Sequence, residues 1–437
     1  MIGRRDILKA GAGIALATRG SAGQAKPLRI GLVGVGARGT ALLELFLKFG
    51  GVQIPAIADI DENHLRRAQG LVEKSGQSRP EGYSGGPKDF QRLCDRNDVD
   101  IVLAATPWNW HTRIAVAAMK SGKHAVSEVP AAVTLDECWE LVEAVEKTGQ
   151  QFAMIENQCY SREGLMALNM IRRGLLGEPL FAEGGYMQDL RAVQFAPAGS
   201  GKPWLLSESE RRNGNLYPTH AIGPLAWWMD ITRGDNLAFL VSMSSKSGGL
   251  REFAAKHLGP GDARARITFA QGDVNTTLIR TEQGRSYSLY YDTGSPRPKE
   301  HLIRVQGTKG VYSPQVDKIF IDGRSNKNEG PNWLHNPEWE AIDAYREEYE
   351  HPLWKTHGGA AKATAHGGTD YMTVYRLLKN FHENKPPDID VYDAATWSAI
   401  APLTEQSAAG RSRPIDIPDF TRGKWKRRNP LDADAMV

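Results

Sequence analysis

Apolar residues in the first 150 positions alternate between short continuous runs and segments with helical spacing. The segments between the runs repeat apolar residues with a period near 3.6, and the last of them is capped by Thr134 and ends near Thr148. Such βαβ alternation requires right-handed crossovers, so we predict a Rossmann-type parallel sheet over residues 26–150. The runs themselves predict four strands: Leu28–Val33, Gln53–Ala58, Asp100–Ala104 and His124–Ser127.

After residue 150 the pattern changes to longer alternating segments separated by glycine and proline turns. We predict an α/β chain in which an α+β domain, residues 151–437, follows the Rossmann domain and contains a mostly antiparallel open sheet. Residues 323–331 are predicted to form a loop. The predicted strands are Gln151–Ile155, Arg264–Phe269, Thr276–Arg280, Ser286–Tyr291 and Leu302–Gln306, and the predicted helices are Arg162–Arg173, Asp370–Glu383 and Asp393–Ala409.

The first 25 residues form a separate segment. Arg4 and Arg5 begin a twin-arginine pattern that is followed by a weakly apolar run, Ala10–Ala17. This run is far shorter than the roughly 20 residues that cross a bilayer. We therefore predict a Tat export signal over residues 1–25, the Tat translocase as a partner during export, a periplasmic or secreted location and no stable membrane anchor. An exposed basic terminus is the alternative.

Charge and cysteine content exclude several classes of partner. Residues 1–25 carry four basic residues and one acidic residue, and their net charge of +3 equals that of the whole chain, so the remainder is close to neutral. This balance gives no reason to expect nucleic acid or anionic membrane as a partner. The three cysteines, Cys94, Cys138 and Cys159, have no metal or redox spacing, and their odd number argues against a disulfide framework.

A glycine-rich turn follows the first predicted strand. Gly34, Gly36 and Gly39 form the GxGxxG pattern between a strand and a helix, the context in which it binds a dinucleotide. Asp59 ends the next strand, where a carboxylate accepts hydrogen bonds from the adenosine ribose and disfavours a 2′-phosphate. We therefore predict NAD, although Arg38 is placed to reach a phosphate. An ordinary tight turn beside a surface aspartate is the alternative.

A second motif contains the candidate catalytic residues of the domain that follows the Rossmann domain. Tyr217 and His220 lie three positions apart, just before an apolar helix predicted to start near Gly223. Both side chains carry exchangeable protons, and histidine titrates near neutral pH, so we take them as the candidate catalytic residues. A histidine in such a place is often an ordinary core residue. No metal site is predicted, because His111, His220 and His366 lack ligand spacing.

The motifs taken together resemble a known family. The glycine turn and the Glu-Val-Pro step at 128–130 resemble the nucleotide-binding half of the Gfo/Idh/MocA oxidoreductases, whose acid/base lysine is replaced here by Val129. Thr-Pro-Trp at 106–108, Glu-Val-Pro-Ala-Ala at 128–132 and Asn-Gly-Asn-Leu-Tyr-Pro-Thr-His at 213–220 closely resemble glycoside hydrolase family 109. Members of that family are NAD-dependent and are typified by α-N-acetylgalactosaminidase.

This resemblance implies a set of ligand contacts. Two positions depart from the family pattern, since Leu205 replaces an arginine and Lys299 replaces a tyrosine, and both leave the identity of the sugar open. The implied NAD contacts are Ala37, Arg38, Asp59, Trp108, Asn109, Trp110, His111, Glu128, Val129 and Asn157. The implied sugar contacts are Tyr186, Tyr217, Pro218, Thr219, His220 and Lys299.

Val129 cannot move a proton, and the substrate region shows no persuasive pair of carboxylates of the kind that ordinary glycosidases use. We therefore predict a redox-neutral cycle of oxidation at C3, elimination at C1, hydration and reduction. The family resemblance implies α-N-acetylgalactosaminides or related glycosides as its substrates. His220 serves the C3 hydroxyl or the leaving group, and the group that takes the C2 proton stays open. NAD is expected to be tightly bound and not consumed, because no free nicotinamide pool exists outside the cytoplasm.

Two other functions compete with this interpretation. One is an exported NAD(P)-dependent sugar or cyclitol oxidoreductase, which has the same fold but is disfavoured by Val129. The other is a non-catalytic sugar-binding protein, which is disfavoured by Tyr217 and His220. In each case the partner is a small molecule or glycan, and a homodimer through the second-domain sheet is an expectation from the family.

Overall fold

The computed structural model describes residues 26–197, 201–259, 261–325 and 338–437. The predicted export signal and most of the predicted loop at 323–331 lie outside the described residues. Two sheets organise the rest of the chain, one of six strands and one of nine. In the described part of the chain, no helix is long and apolar enough to cross a membrane.

The first sheet is parallel throughout and has the strand order β3-β2-β1-β4-β5-β6. Val33 at the end of β1 is in register with Ala58 in β2 and Ala104 in β4, so the segments after these strands meet at one edge. The strands are β1 Leu28–Val33, β2 Val52–Ala58, β3 Glu81–Tyr83, β4 Ile101–Ala104, β5 His124–Ser127 and β6 Phe152–Met154. The helices are α1 Ala37–Phe49, α2 Glu62–Lys74, α3 Phe90–Cys94, α4 His111–Lys120 and α5 Leu135–Thr148.

This sheet confirms the predicted Rossmann-type architecture. The predicted strand around 151–155 is present, but it pairs in parallel with β5 and is the sixth strand of the first sheet. The predicted domain boundary at residue 150 therefore lies one strand before the end of this sheet. All three cysteines are free and buried.

The second sheet has the order β14-β13-β12-β11-β7-β10-β9-β8-β15. Only the β7–β10 pairing within it is parallel, so the predicted, mostly antiparallel sheet is confirmed. Its strands are β7 Pro179–Met187, β8 Leu237–Ser244, β9 Asn275–Thr281, β10 Ser286–Asp292, β11 Glu300–Gly307, β12 Gly310–Ser313, β13 Lys318–Ile321, β14 Glu340–Ala341 and β15 Ile415–Asp416.

Helices cover one face of the second sheet and connect it to the first. A Cβ atom at Gly184 in β7 would lie 2.7 Å from the carbonyl oxygen of Ala221, so this glycine lets α9 pack directly on the strand. The helix α14 contacts both α5 and β8, which joins the two domains. The helices are α6 Arg162–Arg172, α7 Arg191–Gln194, α8 Pro203–Arg211, α9 Thr219–Trp228, α10 Gly249–His257, α11 Asp343–Tyr349, α12 Pro352–Ala361, α13 Thr369–His382 and α14 Val391–Ala409.

The strand predicted at Arg264–Phe269 is wrong. Residues Ala263–Arg266 form a short 3-10 helix instead. Its first turn is capped by Asp262, whose carboxylate accepts a hydrogen bond of 2.9 Å from the backbone N–H of Arg264. Local capping of this kind competes with strand pairing. The apolar residues that produced the alternating pattern, such as Phe269, pack in a small separate cluster rather than in the sheet.

Candidate active site

The glycine-rich turn leaves β1 at the edge where three strands end. Gly34 has φ +86°, and a Cβ atom there would lie 2.7 Å from the carbonyl oxygen of Ala105. A Cβ atom at Gly39 would lie 2.0 Å from the carbonyl oxygen of Gly34. Gly36 differs, because the nearest atom to its Cβ position belongs to His64 and is 3.9 Å away. Two glycines are therefore needed for packing, and the third faces open space.

The open space lies at the N-terminus of α1, which begins at Ala37. No described side chain caps this helix and its first turn holds no acidic residue, so its amides are available to an anion. The hydroxyl of Thr106, beside Gly34, is buried and has no partner among the described residues. This combination fits the diphosphate and ribose of a dinucleotide.

Asp59 follows β2 next to this turn. Its carboxylate accepts hydrogen bonds from the backbone N–H of Val35 at 2.7 Å and from that of Asp61 at 2.8 Å. The side chain of Asp59 is buried, and His64 lies 3.7 Å from it. Asp59 thus fixes the glycine turn, and its predicted ribose contact stays a prediction.

A group of charged and polar side chains joins the two domains beside the turn, and we call it the junction cluster: Arg38, Glu128, Asn157, His366 and Asp370. Arg38 in α1 contacts Glu128 at 2.6 Å and Asp370 in α13 at 2.6 Å. Asp370 also accepts hydrogen bonds from Asn157 at 2.8 Å and from His366 at 2.6 Å. Each predicted cofactor residue in this cluster is therefore held by a partner.

The charges of the junction cluster reinforce one another. Burial alone would favour neutral Asp370, but hydrogen bonds from His366 and Arg38 outweigh it and hold the pKa of Asp370 well below its usual range. Burial also opposes the charge of Arg38, yet Glu128 and Asp370 raise its pKa. The guanidinium group is thus engaged by two carboxylates and is not free to bind a 2′-phosphate.

The Thr-Pro-Trp loop follows β4 at the same edge. The buried ring of His111 contacts the carbonyl oxygens of Pro130 at 2.7 Å and Thr106 at 2.8 Å, so it ties this loop to the Glu-Val-Pro step. Trp110 packs on Phe90 within the first domain. Asn109 is exposed and Trp108 is buried. Only Trp108 of the predicted stretch 108–111 is seen to line the pocket described next.

An aromatic pocket lies between this loop and the second sheet. Trp108 stacks on Tyr217 with ring centroids 5.3 Å apart, and its edge meets Trp204 at 4.7 Å. Tyr186 in β7 lies 4.7 Å from Tyr217 and 5.2 Å from His220. Sugar rings bind well to such walls, because their C–H faces pack on aromatic surface while phenols and imidazoles bind hydroxyls.

His220 at the start of α9 is paired with a carboxylate. Its Nδ1 lies 2.6 and 2.7 Å from the two carboxylate oxygens of Glu156, which is fully buried. A Cβ atom at Gly223, one turn along α9, would lie 3.0 Å from the Cγ of Glu156, so that glycine permits the close approach. With Nδ1 oriented by the carboxylate, Nε2 is the atom left to exchange protons with a ligand, as in a histidine–carboxylate dyad.

The remaining predicted substrate residues are Pro218 and Thr219, which directly precede His220, and Lys299, which is exposed just before β11. Thr219 is buried and its hydroxyl has no described partner, while Pro218 precedes the first turn of α9. Leu205 lines the pocket with its apolar side chain. Val129 is buried with an exposure of 3%, so the position of the acid/base lysine of Gfo/Idh/MocA oxidoreductases holds no proton-transfer group here.

Four residues of the site were not found from the sequence: Glu156, Lys202, His301 and Asp370. Glu156 directly precedes the predicted Asn157, and a carboxylate at a strand end was a signal that could have been used. Asp370 was seen only as the start of a helix. No local pattern distinguishes His301, which lies opposite Tyr186 in the β11–β7 register with ring centroids 5.4 Å apart.

Comparisons with known proteins place this site in a family. Residues 160–427 match the family model for the glycosyl hydrolase 109 C-terminal domain. The chain is a member of glycosyl hydrolase family 109. Residues 28–156 of this family 109 protein match the oxidoreductase family with an NAD-binding Rossmann fold. The predicted family is thereby confirmed.

Curated relatives extend over nearly the whole chain. A glycosyl hydrolase family 109 protein from Solibacter usitatus is 44% identical over 98% of this chain and 99% of its own length. One from Saccharopolyspora erythraea is 40% identical over 92% of this chain and 85% of its own length. These names make this family 109 protein an enzyme of the glycosyl hydrolase type with an NAD-binding domain.

Solved structures show the same fold at low identity. An NAD binding oxidoreductase from Klebsiella pneumoniae has a TM-score of 0.68 and 17% identity over 90% of this chain and 99% of that chain. Levoglucosan dehydrogenase in complex with NADH and levoglucosan has a TM-score of 0.66 and 21% identity over 90% of this chain and 100% of that chain. At these identities the likeness establishes the fold alone.

Proposed function

We propose that this protein hydrolyses glycosides in a redox-neutral cycle with tightly bound NAD. The observation that carries the proposal is the His220–Glu156 pair at 2.6 Å, which lies against Tyr186 and Tyr217 of the aromatic pocket, combined with Val129 at the position of the acid/base lysine of Gfo/Idh/MocA oxidoreductases. A proton-transfer group is present, but it belongs to the sugar pocket and not to the Glu-Val-Pro step. This arrangement suits bond cleavage better than net oxidation.

The residues that would hold NAD are the glycine turn with the amides of α1, the Thr106 hydroxyl and the junction cluster. Bound NAD supplies a reversible oxidation at C3 of the sugar, which acidifies the C2 proton, permits elimination of the C1 substituent and addition of water, and is finally reversed. Arg38 is held by Glu128 and Asp370, and Asp59 carries a negative charge beside the turn, so NAD is favoured over NADP.

His220 would take and return a proton through Nε2, either at the C3 hydroxyl or at the leaving oxygen. Glu156 holds the ring through Nδ1 and stabilises the imidazolium that forms. Burial raises the pKa of Tyr217 and that of Tyr186 well above the ordinary value. Both phenols therefore stay protonated at neutral pH and serve as hydrogen-bond donors to the sugar rather than as bases.

The substrates we propose are α-N-acetylgalactosaminides or related glycosides, as the family implies. Leu205 and Lys299 replace the arginine and tyrosine of the family pattern, so the choice among these sugars is set by this chain's own pocket. A sugar or cyclitol oxidoreductase is the second candidate. It is favoured by the fold that the chain shares with levoglucosan dehydrogenase, and it would release an oxidised sugar.

Export and assembly are separate proposals. The twin-arginine pattern at Arg4 and Arg5 supports export through the Tat translocase to the periplasm or beyond. The outer face of the second sheet exposes Phe239, Met243 and Leu278, which supports a homodimer formed through this face.

A screen of nitrophenyl glycosides without added cofactor tests the proposed function. We expect release of nitrophenol and free reducing sugar, with N-acetyl-α-galactosaminide in the first set of substrates, and one tightly bound NAD per chain after purification. Accumulation of an oxidised sugar would support the oxidoreductase instead. A protein that contains no nicotinamide and cleaves no glycoside would contradict the proposal.

A further inference from the structure

A second histidine–carboxylate pair lies in the junction cluster. Nδ1 of His366 is 2.6 Å from the carboxylate of Asp370, whose side chain is exposed by only 1%. The pair of His220 and Glu156 has the same separation and an equally buried carboxylate. Nε2 of His366 has no hydrogen-bond partner among the described residues, and the ring is exposed. Each pair therefore leaves one ring nitrogen free to take and return a proton.

The two pairs are anchored on consecutive residues just after β6. Glu156 contacts the ring of His220 directly. Asn157, the next residue, donates a hydrogen bond of 2.8 Å to one carboxylate oxygen of Asp370, and the other oxygen of this carboxylate contacts His366. Both rings are thus held by one short segment of backbone at the carboxyl edge of the first sheet. Two proton-transfer groups are thereby brought to the same part of the molecule.

His366 is also linked to the Glu-Val-Pro step, which lacks the lysine of Gfo/Idh/MocA oxidoreductases. Its partner Asp370 pairs with Arg38 at 2.6 Å, and Arg38 pairs with Glu128 at 2.6 Å. Glu128 directly precedes Val129 and accepts a hydrogen bond of 3.1 Å from the backbone N–H of that residue. Two ion pairs therefore connect a histidine to the step whose own side chain cannot move a proton.

The backbone of His366 has an unfavourable conformation. Its φ is +53°, and Gly367 and Gly368 follow with φ +64° and +94°. A Cβ atom at Gly368 would lie 2.9 Å from the carbonyl oxygen of Ala361 in α12, and the hydroxyl of Thr369 donates a hydrogen bond of 3.0 Å to the carbonyl oxygen of His366. Residues other than glycine rarely adopt this conformation, and those that do cluster at active sites. This strain, together with the free ring nitrogen, indicates a functional role for the histidine.

The other polar groups of the site are poorly suited to remove a proton from carbon. Burial raises the pKa of Tyr217 and that of Tyr186 well above the ordinary value, so both phenols stay protonated at neutral pH. Glu128 is paired with a guanidinium group, and Glu156 orients His220. In the proposed cycle, His220 serves the C3 hydroxyl or the leaving oxygen. Removal of the C2 proton therefore needs a second base.

We propose that His366 removes the C2 proton of the oxidised sugar. The C2–H bond breaks, its proton goes to Nε2, its electron pair forms the C1=C2 bond, and the C1–O bond breaks with its electrons on the leaving oxygen, which takes up a proton. Water then adds its oxygen to C1 and releases one proton, while Nε2 returns a proton to C2. Asp370 holds Nδ1–H and stabilises the imidazolium.

The inference rests on the proposed function, because the C2 proton is acidic only beside a ketone at C3. The ring of His366 is exposed, so the proton on Nε2 exchanges with water before it returns to C2. Elimination and hydration are thus assigned to His366, and the C3 hydroxyl or the leaving oxygen is served by His220. The two histidines act at different steps and can be tested separately.

His366→Asn tests the assignment in the NAD-loaded protein with nitrophenyl glycosides. Asparagine tolerates a left-handed backbone, and its amide can donate to Asp370 as Nδ1 does, but it has no counterpart of Nε2. Nitrophenol release should fall by roughly 10²- to 10⁴-fold. Reduced nicotinamide should accumulate above the wild-type level, because the oxidised sugar forms but does not eliminate. The matched control is His257→Asn at the exposed end of α10, which should leave release and absorbance unchanged.

NAD content and unfolding temperature are measured for every variant. His366→Gly is the second variant, since glycine adopts the left-handed backbone without strain, and it should show the same loss of release. A near-normal rate in either variant would overturn the proposal and leave the glycosidase function standing. Loss of bound NAD or of folding in both variants, in proportion to the loss of release, would make His366 a structural residue and would also overturn the proposal.

Chemical labelling tests the position of the ring without turnover. Diethyl pyrocarbonate acylates free imidazole nitrogens, and peptide mass spectrometry measures each histidine separately. With N-acetylgalactosamine at about ten times its Kd, labelling of His366 in the NAD-loaded protein should slow about tenfold, because only about a tenth of the sites stay empty. His257 should be labelled equally with and without the sugar, and His220 should be protected.

The labelling result separates this proposal from the proposed function. Protection of His220 without protection of His366 would place the second ring away from the sugar and overturn the proposal alone. Protection of neither histidine would refute the proposed sugar and, with it, this assignment. Protection of both in a wild type that releases no nitrophenol and forms no reduced nicotinamide would refute the glycosidase cycle, and with it the proton transfer, and would keep only the contact between His366 and the sugar.

Discussion

The junction cluster and the aromatic pocket differ in how their polar groups are satisfied. In the junction cluster, Arg38, Glu128, Asn157 and Asp370 partner one another. Beside the pocket, where His301 packs on Tyr186, neither nitrogen of its ring has a partner among the residues that the structure describes. Polar side chains that are paired with one another hold the backbone or a cofactor in place, whereas unpaired polar side chains are available to bind a ligand. This comparison distinguishes residues with a structural role from residues that are available to bind a ligand.

In the His220–Glu156 pair, Nδ1 of the histidine is paired and Nε2 is available to a ligand. Substitution of His220 is expected to have the largest effect on turnover. His220→Ala should reduce glycoside turnover by roughly 10²- to 10⁴-fold, because it removes the proton-transfer group. NAD content should not change, since His220 belongs to the pocket. Turnover and bound nicotinamide are measured in parallel.

His257→Ala is the matched control, because this histidine is exposed at the end of α10. Glu156→Gln should give a smaller loss of turnover than His220→Ala, because it keeps a side chain of the same shape beside the ring. A near-normal rate in His220→Ala would remove this histidine from the mechanism.

The junction cluster can be broken at its one cation. Arg38→Met should lower the free energy of unfolding by about 3 kcal/mol, because it leaves Asp370, exposed by only 1%, with a buried charge that has lost its main partner. Urea unfolding measures the loss. Arg92→Met, which breaks an exposed pair with Asp89 at 3.3 Å, should cost less than about 1 kcal/mol. Equal losses in the two variants would show that the cluster has no special structural role.

Substitutions in the glycine turn distinguish a glycine needed for NAD binding from one needed for packing of the fold. Gly36→Ala should weaken NAD binding by at least about tenfold while leaving the unfolding temperature nearly unchanged, because its φ is −62° and its Cβ would enter open space. Gly39→Ala should destabilise the fold itself through the 2.0 Å contact with Gly34. Gly70→Ala in α2 has no atom within 4 Å of its Cβ and is the control, which should leave NAD binding unchanged. Full NAD binding by Gly36→Ala would place the diphosphate elsewhere.

The smallest expected effect is a change in how the free energy of unfolding depends on pH when His301 is replaced. The pKa of His301 is lowered to about 3 from an ordinary value near 6.5, so the unfolded chain binds its proton at a higher pH than the folded chain does. Above about pH 6.5 the ring is neutral in both the folded and the unfolded chain, so it does not affect the free energy of unfolding. As the pH falls from there towards 3, the unfolded chain takes up the proton first and the free energy of unfolding decreases. His301→Gln should therefore show a shallower loss of unfolding free energy between about pH 6.5 and 4. Identical slopes would mean that His301 is solvated or paired in solution.

The parts of the site that sequence could predict are those set by local patterns. Gly34, Gly36 and Gly39 follow a strand and open a helix, so their geometry was predictable from neighbours. The same holds for the parallel sheet, whose strands are short apolar runs. The wrong strand at Arg264–Phe269 shows the limit, because a capping aspartate outweighed an alternating pattern there.

Contacts between residues that are far apart in the sequence could not be predicted. Arg38 and Asp370 are 332 positions apart, and Glu156 and His220 are 64 apart. Their meeting depends on how α13 and α9 pack, which Gly223 and the two sheets determine together. A histidine in a motif can be found by its neighbours, but the carboxylate that orients it is found only through the tertiary structure.

The central claim is that C–O cleavage proceeds through temporary oxidation of the sugar at C3. Hydrolysis of a cleaved nitrophenyl glycoside in D2O, with the isolated sugar analysed by NMR and mass spectrometry, tests this most directly. The account predicts deuterium at C2, since the C2 proton is removed and replaced from solvent, and the original hydrogen at C3. A product with protium at C2 would contradict the account.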